Sequence, residues 1–169
     1  VFIGNYFLDM NTVEVIPGVH QIRGKYVDDF GYLTSYLLIG GDELLIIDPG
    51  TAGDPGDEIV RTIEHLGFKP RSDVAGILCT HGHPDHIGGA GRLRKATGAS
   101  IMIHKEDASL LEDPQSFINE RLLLDFAQRF AMKLERGPLR VNFRGIEPDR
   151  ILRHQDKIRV GGLSVEQDY

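Results

Sequence analysis

Apolar positions along the chain fall into short runs separated by Gly, Pro and Asp. Val13–Ile16 and Val19–Ile22, split by Pro17-Gly18, predict two short strands around a turn. Leu33–Ile39 and Leu44–Asp48, joined by Gly40-Gly41-Asp42, predict a hairpin whose second strand is buried. Asp54–Leu66 switches to helical spacing, with Ile59, Ile63 and Leu66 on one face and Gly67 as the stop. Val74–Cys79 predicts a short apolar strand, Gly88–Thr97 a helix closed by Gly98, and Ser100–Ile103 another short strand. Lys105–Leu111 predicts a short helix. Gln115–Glu135 predicts a long one, with Leu123, Phe126, Phe130 and Leu134 as its apolar stripe. Ile158–Val160 and Leu163–Val165 flank Gly161-Gly162 as a final hairpin. Strands, then strand–helix alternation, then helix, then strands predict an α/β or α+β chain.

Composition narrows this picture. The 169 residues suit one domain of ordinary apolar content, with 41% hydrophobic residues and no run long enough to span a bilayer. A net charge of −6 disfavours general binding to nucleic acid or anionic membranes. A single cysteine, Cys79, excludes an internal disulfide framework and a cysteine-built zinc finger. The lone cysteine and the absence of a recognisable targeting signal favour the cytoplasm.

The chemistry concentrates in Cys79-Thr80-His81-Gly82-His83-Pro84-Asp85-His86-Ile87-Gly88-Gly89. Four candidate metal ligands lie within six residues, directly after a predicted buried strand. His81 and His83 stand at i, i+2, so in extended backbone both rings point the same way and can share one cation. Pro84 turns the chain. Asp85 and His86 then face a second cation nearby. Imidazole with carboxylate suits zinc, and also iron or manganese. Gly88 and Gly89 allow the following helix to pack close to the loop. Of the other histidines, His20, His65 and His154 read as surface or capping residues. His104, at the end of its strand near the site mouth, reads as structural.

At these residues the chain resembles the metallo-β-lactamase superfamily. The match runs His81-x-His83-x-Asp85-His86, with Leu44–Asp48 and Pro49-Gly50-Thr51 upstream and Gly88-Gly89 downstream. The resemblance implies an αββα sandwich with a two-metal centre on one edge. It implies that His81 and His83 hold the first ion and Asp85 and His86 the second. Asp85 would also handle protons, and a metal-bound hydroxide would be the nucleophile. Asp48 would orient the metal-binding loop, and it reads equally as a cap of the turn before the helix.

The family's further ligands, two histidines and a bridging acid, come later than this chain reaches, just past the strand Leu163–Val165. The resemblance thus covers the front part of the domain and predicts a continuation after Tyr169. The start at Val1 likewise predicts a processed or shortened N-terminus, with Met10 as an alternative start. The motif wording is most similar to the glyoxalase II-like and lactonase-like branch, whose members open thioesters, lactones and related acyl bonds. Nuclease-type members, mono-iron persulfide-oxidising members and a non-catalytic metal-binding domain are the alternatives. His83, where the flavodiiron branch usually has Glu, disfavours electron transfer.

Charge is segregated along the chain. Residues 1–60 carry ten acidic and two basic side chains, and residues 129–159 carry nine basic and four acidic. The complementarity fits a solvated face or a homo-oligomer contact. It also fits a helical insertion over residues 113–145 that closes as a lid over a small anionic substrate.

Overall fold

The computed structural model describes residues 11–27, 31–116 and 143–166. Seven strands form one mixed sheet in chain order: β1 (Thr12–Ile16), β2 (Val19–Val27), β3 (Gly31–Gly40), β4 (Glu43–Ile47), β5 (Val74–Cys79), β6 (Ile101–His104) and β7 (Arg150–Leu152). The β1–β4 half is antiparallel. From β4 to β7 every pair is parallel. The helices that make those crossovers are α1 (Gly56–His65) between β4 and β5, and α3 (Ala90–Thr97) between β5 and β6. A short α2 (Pro84–Ile87) precedes α3, and α4 (Ala108–Glu112) follows β6. The hairpin of β8 (Lys157–Val160) and β9 (Leu163–Glu166) forms a second, two-stranded sheet.

The central strands are apolar on both sides because both sides are covered. Leu44, Ile46, Ile77, Cys79, Ile101 and Ile103 face the helices, where Ile59 and Ile63 of α1 and Leu93 of α3 meet them. Leu45, Leu78 and Met102 point the other way, onto Leu152 and onto Ile158 and Val160 of the hairpin. A helix layer, the main sheet and the small sheet thus stack in the order an αββα sandwich requires, in a mixed α/β fold.

Most predicted elements are present, with informative differences. The helix predicted from Asp54 starts at Gly56. Asp54 lies outside it, its carboxyl accepting the Lys25 N–H at 2.5 Å and its own N–H bonding Thr51 Oγ1 at 3.2 Å. The helix predicted over Gly88–Thr97 begins at Ala90, and Pro84–Ile87 forms a separate turn of helix. Gly88-Gly89 separates them because the chain here touches the loop after β4: Gly89 N–H bonds the Gly50 carbonyl at 2.9 Å, and a Cβ on Gly89 would collide with the Pro49 carbonyl. Residues Lys105–Asp107 form a turn, and α4 starts only at Ala108. The sequence pattern misses β7. The greater part of the predicted helix Gln115–Glu135 and of the 113–145 insertion lies outside the described residues.

Strand β7 is fastened through the residue just before it. Asp149 N–H bonds the Ile101 carbonyl at 2.9 Å, and its carboxyl accepts the Ile101 N–H at 2.8 Å. The Arg94 guanidinium reaches the same carboxyl at 3.2 Å. The Ile101 N–H, aided by Arg94, holds the Asp149 carboxyl below its ordinary value. A lowered folded-state value means that the interaction stabilises above the unfolded-state value and is lost as pH falls through the lowered one. Asp149→Ala should therefore cost about 1–2 kcal/mol at neutral pH, measured by urea denaturation. The gap between wild type and variant should close as pH drops below about 4; a constant gap would rule out the charged carboxyl as its source.

Candidate metal centre

The site lies beyond the carboxyl ends of the parallel strands, where loops from neighbouring strands converge. Strand β5 leads straight into Thr80 and His81, and β4 leads into Asp48. The two strands end side by side, Ile47 opposite Leu78, with the Asp48 N–H bonded to the Leu78 carbonyl at 2.8 Å. Asp48 is only 7% exposed and sits at φ +54°, a conformation that Asp tolerates better than most residues.

From there its carboxyl takes hold of the motif. Oδ1 accepts the Thr80 N–H at 2.7 Å, and the Thr80 hydroxyl lies 2.9 and 2.8 Å from the two oxygens. Oδ2 accepts from His86 Nδ1 at 2.8 Å. The Thr80 hydroxyl in turn lies 3.0 Å from His81 Nδ1. With its proton directed to Asp48, that hydroxyl accepts from His81. The network therefore assigns a proton to Nδ1 of both histidines and leaves both Nε2 lone pairs available.

The four motif residues come together. The His81 ring centroid is 4.0 Å from that of His86 and 4.5 Å from that of His83, the latter pair edge to face. His86 Nε2 is 3.5 Å from Asp85 Oδ2. His83 is extended, at φ −71° and ψ 140°, and stands at the N-cap position of α2, whose first residue is Pro84, without a side-chain cap hydrogen bond. Asp48, His81 and His86 each offer a ligand atom within 4.8 Å of the others. Both Asp48 oxygens are already engaged by Thr80 and His86, so its hydrogen bonds make it the orienting member of that trio. They run to β5 and the motif, across the sheet rather than along its own turn.

Electrostatics separates the two nearest rings. Burial lowers the His81 pKa, and the adjacent His86 and His83 rings lower it further. The hydrogen bond that His86 donates to Asp48 raises that of His86. Beneath them Cys79 is fully buried, and burial, with the Asp48 charge, pushes its thiol far up. Its thiol form is thus favoured at neutral pH.

The remaining histidines lie outside this cluster. His20 is 3.9 Å from Glu14, and His65 and His154 are on the surface. His104 is 3% exposed at the end of β6, its Nδ1 accepting the Glu106 N–H at 3.3 Å. Sequence reasoning missed Thr80, whose hydroxyl joins Asp48 to His81. It also missed Asp107, whose Oδ2 accepts the Gly82 N–H at 2.9 Å. Thr80 stood within the motif, and only its neighbour's chemistry drew attention. Asp107 had no local signal beyond its place before a helix.

A mixed sheet with a histidine-rich turn at the end of a central parallel strand defines an α/β protein with a candidate metal site at that strand's end. The metallo-beta-lactamase superfamily model matches residues 28–167, and the chain belongs to that superfamily of metallo-hydrolases. An uncharacterized protein of Mycobacterium tuberculosis is 35% identical over 124 residues, covering 72% of this chain and 50% of the relative. A hydroxyacylglutathione hydrolase of Anaeromyxobacter dehalogenans is 39% identical over 75 residues, 44% of this chain and 26% of the relative. Among solved structures, a class B3 di-zinc metallo-beta-lactamase from an Alaskan soil metagenome superposes with a TM-score of 0.66 at 25% identity. That match covers 92% of this chain and 50% of the solved one. The chain spans half the length of the mycobacterial relative and about a quarter of the hydrolase. Among the described residues no helix is long and apolar enough to cross a membrane.

Removing the Asp48 carboxyl strands the Thr80 N–H and places Ala at positive φ. Asp48→Ala should cost about 2–4 kcal/mol in chemical denaturation. Asp48→Asn keeps one acceptor oxygen and a residue that tolerates the backbone, so it should cost clearly less. Equal stability of Asp48→Ala and wild type would remove Asp48 from the centre of the network.

Proposed function

We propose that this chain carries the metal-binding part of a hydrolase that opens a thioester, lactone or related acyl bond. His81, His83, Asp85 and His86 would hold the metal, two zinc ions on this reading, with iron or manganese as the alternatives. The observation that carries it is the hydrogen-bond network of Asp48. It fixes Nδ1–H on His86 directly and on His81 through Thr80, and so leaves two Nε2 lone pairs as ligand atoms. Neutral imidazole and carboxylate are the donor set that zinc, iron and manganese accept, so the residues fit the group.

When bound, a divalent cation there supplies Lewis acidity towards a carbonyl and acidifies water. The chain's own residues do the rest. Asp48 and Thr80 hold the ring protons away from the ligand atoms. Asp85, its side chain 44% exposed and beside His86 Nε2, is placed to accept or return a proton from the solvent side. Ile87 and Leu110, both buried, back the motif on its protein side, Leu110 lying against Gly82. The acyl-bond assignment draws on the relative named hydroxyacylglutathione hydrolase and on the motif wording. A small anionic substrate accords with the exposed Arg144, Arg150, Arg153, Lys157 and Arg159.

The test is metal analysis of the purified full-length protein, followed by hydrolysis of a thioester, a lactone and an RNA substrate. Zinc, iron or manganese should copurify, chelation should abolish thioester or lactone hydrolysis, and metal should restore it. Asp85→Ala should lower kcat by about 10²–10⁴-fold. Full activity in that variant would sink the proton role, and hydrolysis of RNA alone would replace the substrate class.

A further inference from the structure

Asp107 stands at the N-cap position of α4, yet its side chain makes no cap hydrogen bond to that helix. It is 2% exposed. Burying a carboxyl is costly unless hydrogen bonds compensate it, and a free N–H of its own helix is the usual nearby donor. Instead Oδ2 accepts the buried N–H of Gly82, 25 residues away and directly between His81 and His83.

The same segment touches Gly82 a second time. A Cβ at position 82 would run into the side chain of Leu110, which lies on α4 three residues after Asp107. Leu110 is itself buried at 4% exposure. Residue 82 is thus held by a hydrogen bond and by direct packing against the start of α4. Residues at i and i+2 share a direction only while the residue between them is fixed, and here His81 and His83 hold a centroid separation of 4.5 Å.

We propose that Asp107 is a positioning residue for the His81–His83 pair. By holding the Gly82 N–H against α4, it sets the spacing at which the two imidazoles meet a divalent cation. The inference rests on the metal-centre reading above and adds a second carboxyl, on a different loop from Asp48, to the apparatus that shapes the centre.

Wild type, Asp107→Ala, Asp107→Asn and Gly82→Ala are compared in the full-length protein. The readouts are amide exchange at Gly82 without metal, zinc affinity by competition with a chromophoric chelator, and the absorption spectrum with cobalt(II). Asp107→Ala should accelerate Gly82 exchange, weaken zinc binding about 10–100-fold and alter the cobalt spectrum. Asp107→Asn keeps a side-chain oxygen for the same N–H and should restore affinity to within about threefold of wild type. Gly82→Ala leaves the carboxyl intact but pushes on Leu110, and it should also weaken zinc binding. It keeps the question open to measurement if Asp107→Ala does not fold. Wild-type zinc affinity in folded Asp107→Ala or Gly82→Ala would overturn the proposal, as would an Asn variant as weak as the Ala one. Faster Gly82 exchange in a protein whose wild type binds no zinc would overturn the metal-centre reading, and this positioning role with it.

Discussion

The carboxyl of Asp48 is the interaction on which the site depends. It is buried, at positive φ, and shared between Thr80 and His86. No other side chain fits its duties. A longer carboxylate would overreach a residue whose own N–H is already bonded to the end of β5, and an amide would present a donor to one of its two partners. Through this one group, the direction of two imidazole rings and the protonation of their Nδ1 atoms follow from the position of a backbone turn.

That turn is itself constrained by the next loop. Gly89 bonds the Gly50 carbonyl, and Gly88 and Gly89 lie against Pro49, Thr51 and Ala52 too closely for side chains. The segment after β4 and the segment after the motif therefore pack as one unit. Their contact breaks what would otherwise be a continuous helix from Pro84 to Thr97 into α2 and α3. The break leaves His86 on a single turn of helix whose placement is set by Asp48 and the glycines rather than by a long helix axis.

How much of this was legible in the sequence follows from the range of each interaction. Strands β4 and β5 were readable because burial on both faces makes them almost wholly apolar, and β3 because its apolar run Leu37–Ile39 leads into the Gly40-Gly41-Asp42 turn. The motif was readable because its four ligand types are adjacent in the chain. Strand β7 was not, since three residues with two exposed carry no pattern and the strand is held by Asp149 reaching back to Ile101. The start of α1 was misplaced because Asp54 resembles a helix cap, while its carboxyl binds a strand 29 residues away. Asp107 was invisible for the same reason: a residue with the local signature of a cap is used at long range.

The two carboxyls that grip the motif occupy equivalent places in the topology. In the order β4-β5-β6 the motif leaves the middle strand, and each flanking parallel strand delivers an aspartate beside it. Asp48 follows β4 by one residue, and Asp107 follows β6 by three. One acts on the ring of His86 and, through Thr80, on that of His81; the other acts on the backbone of Gly82. A loop leaving an edge strand would have such a neighbour on one side only. The parallel arrangement, with all three carboxyl ends at the same edge, is what allows a histidine-rich turn of six residues to be fixed from both sides without disulfides or a long helix of its own.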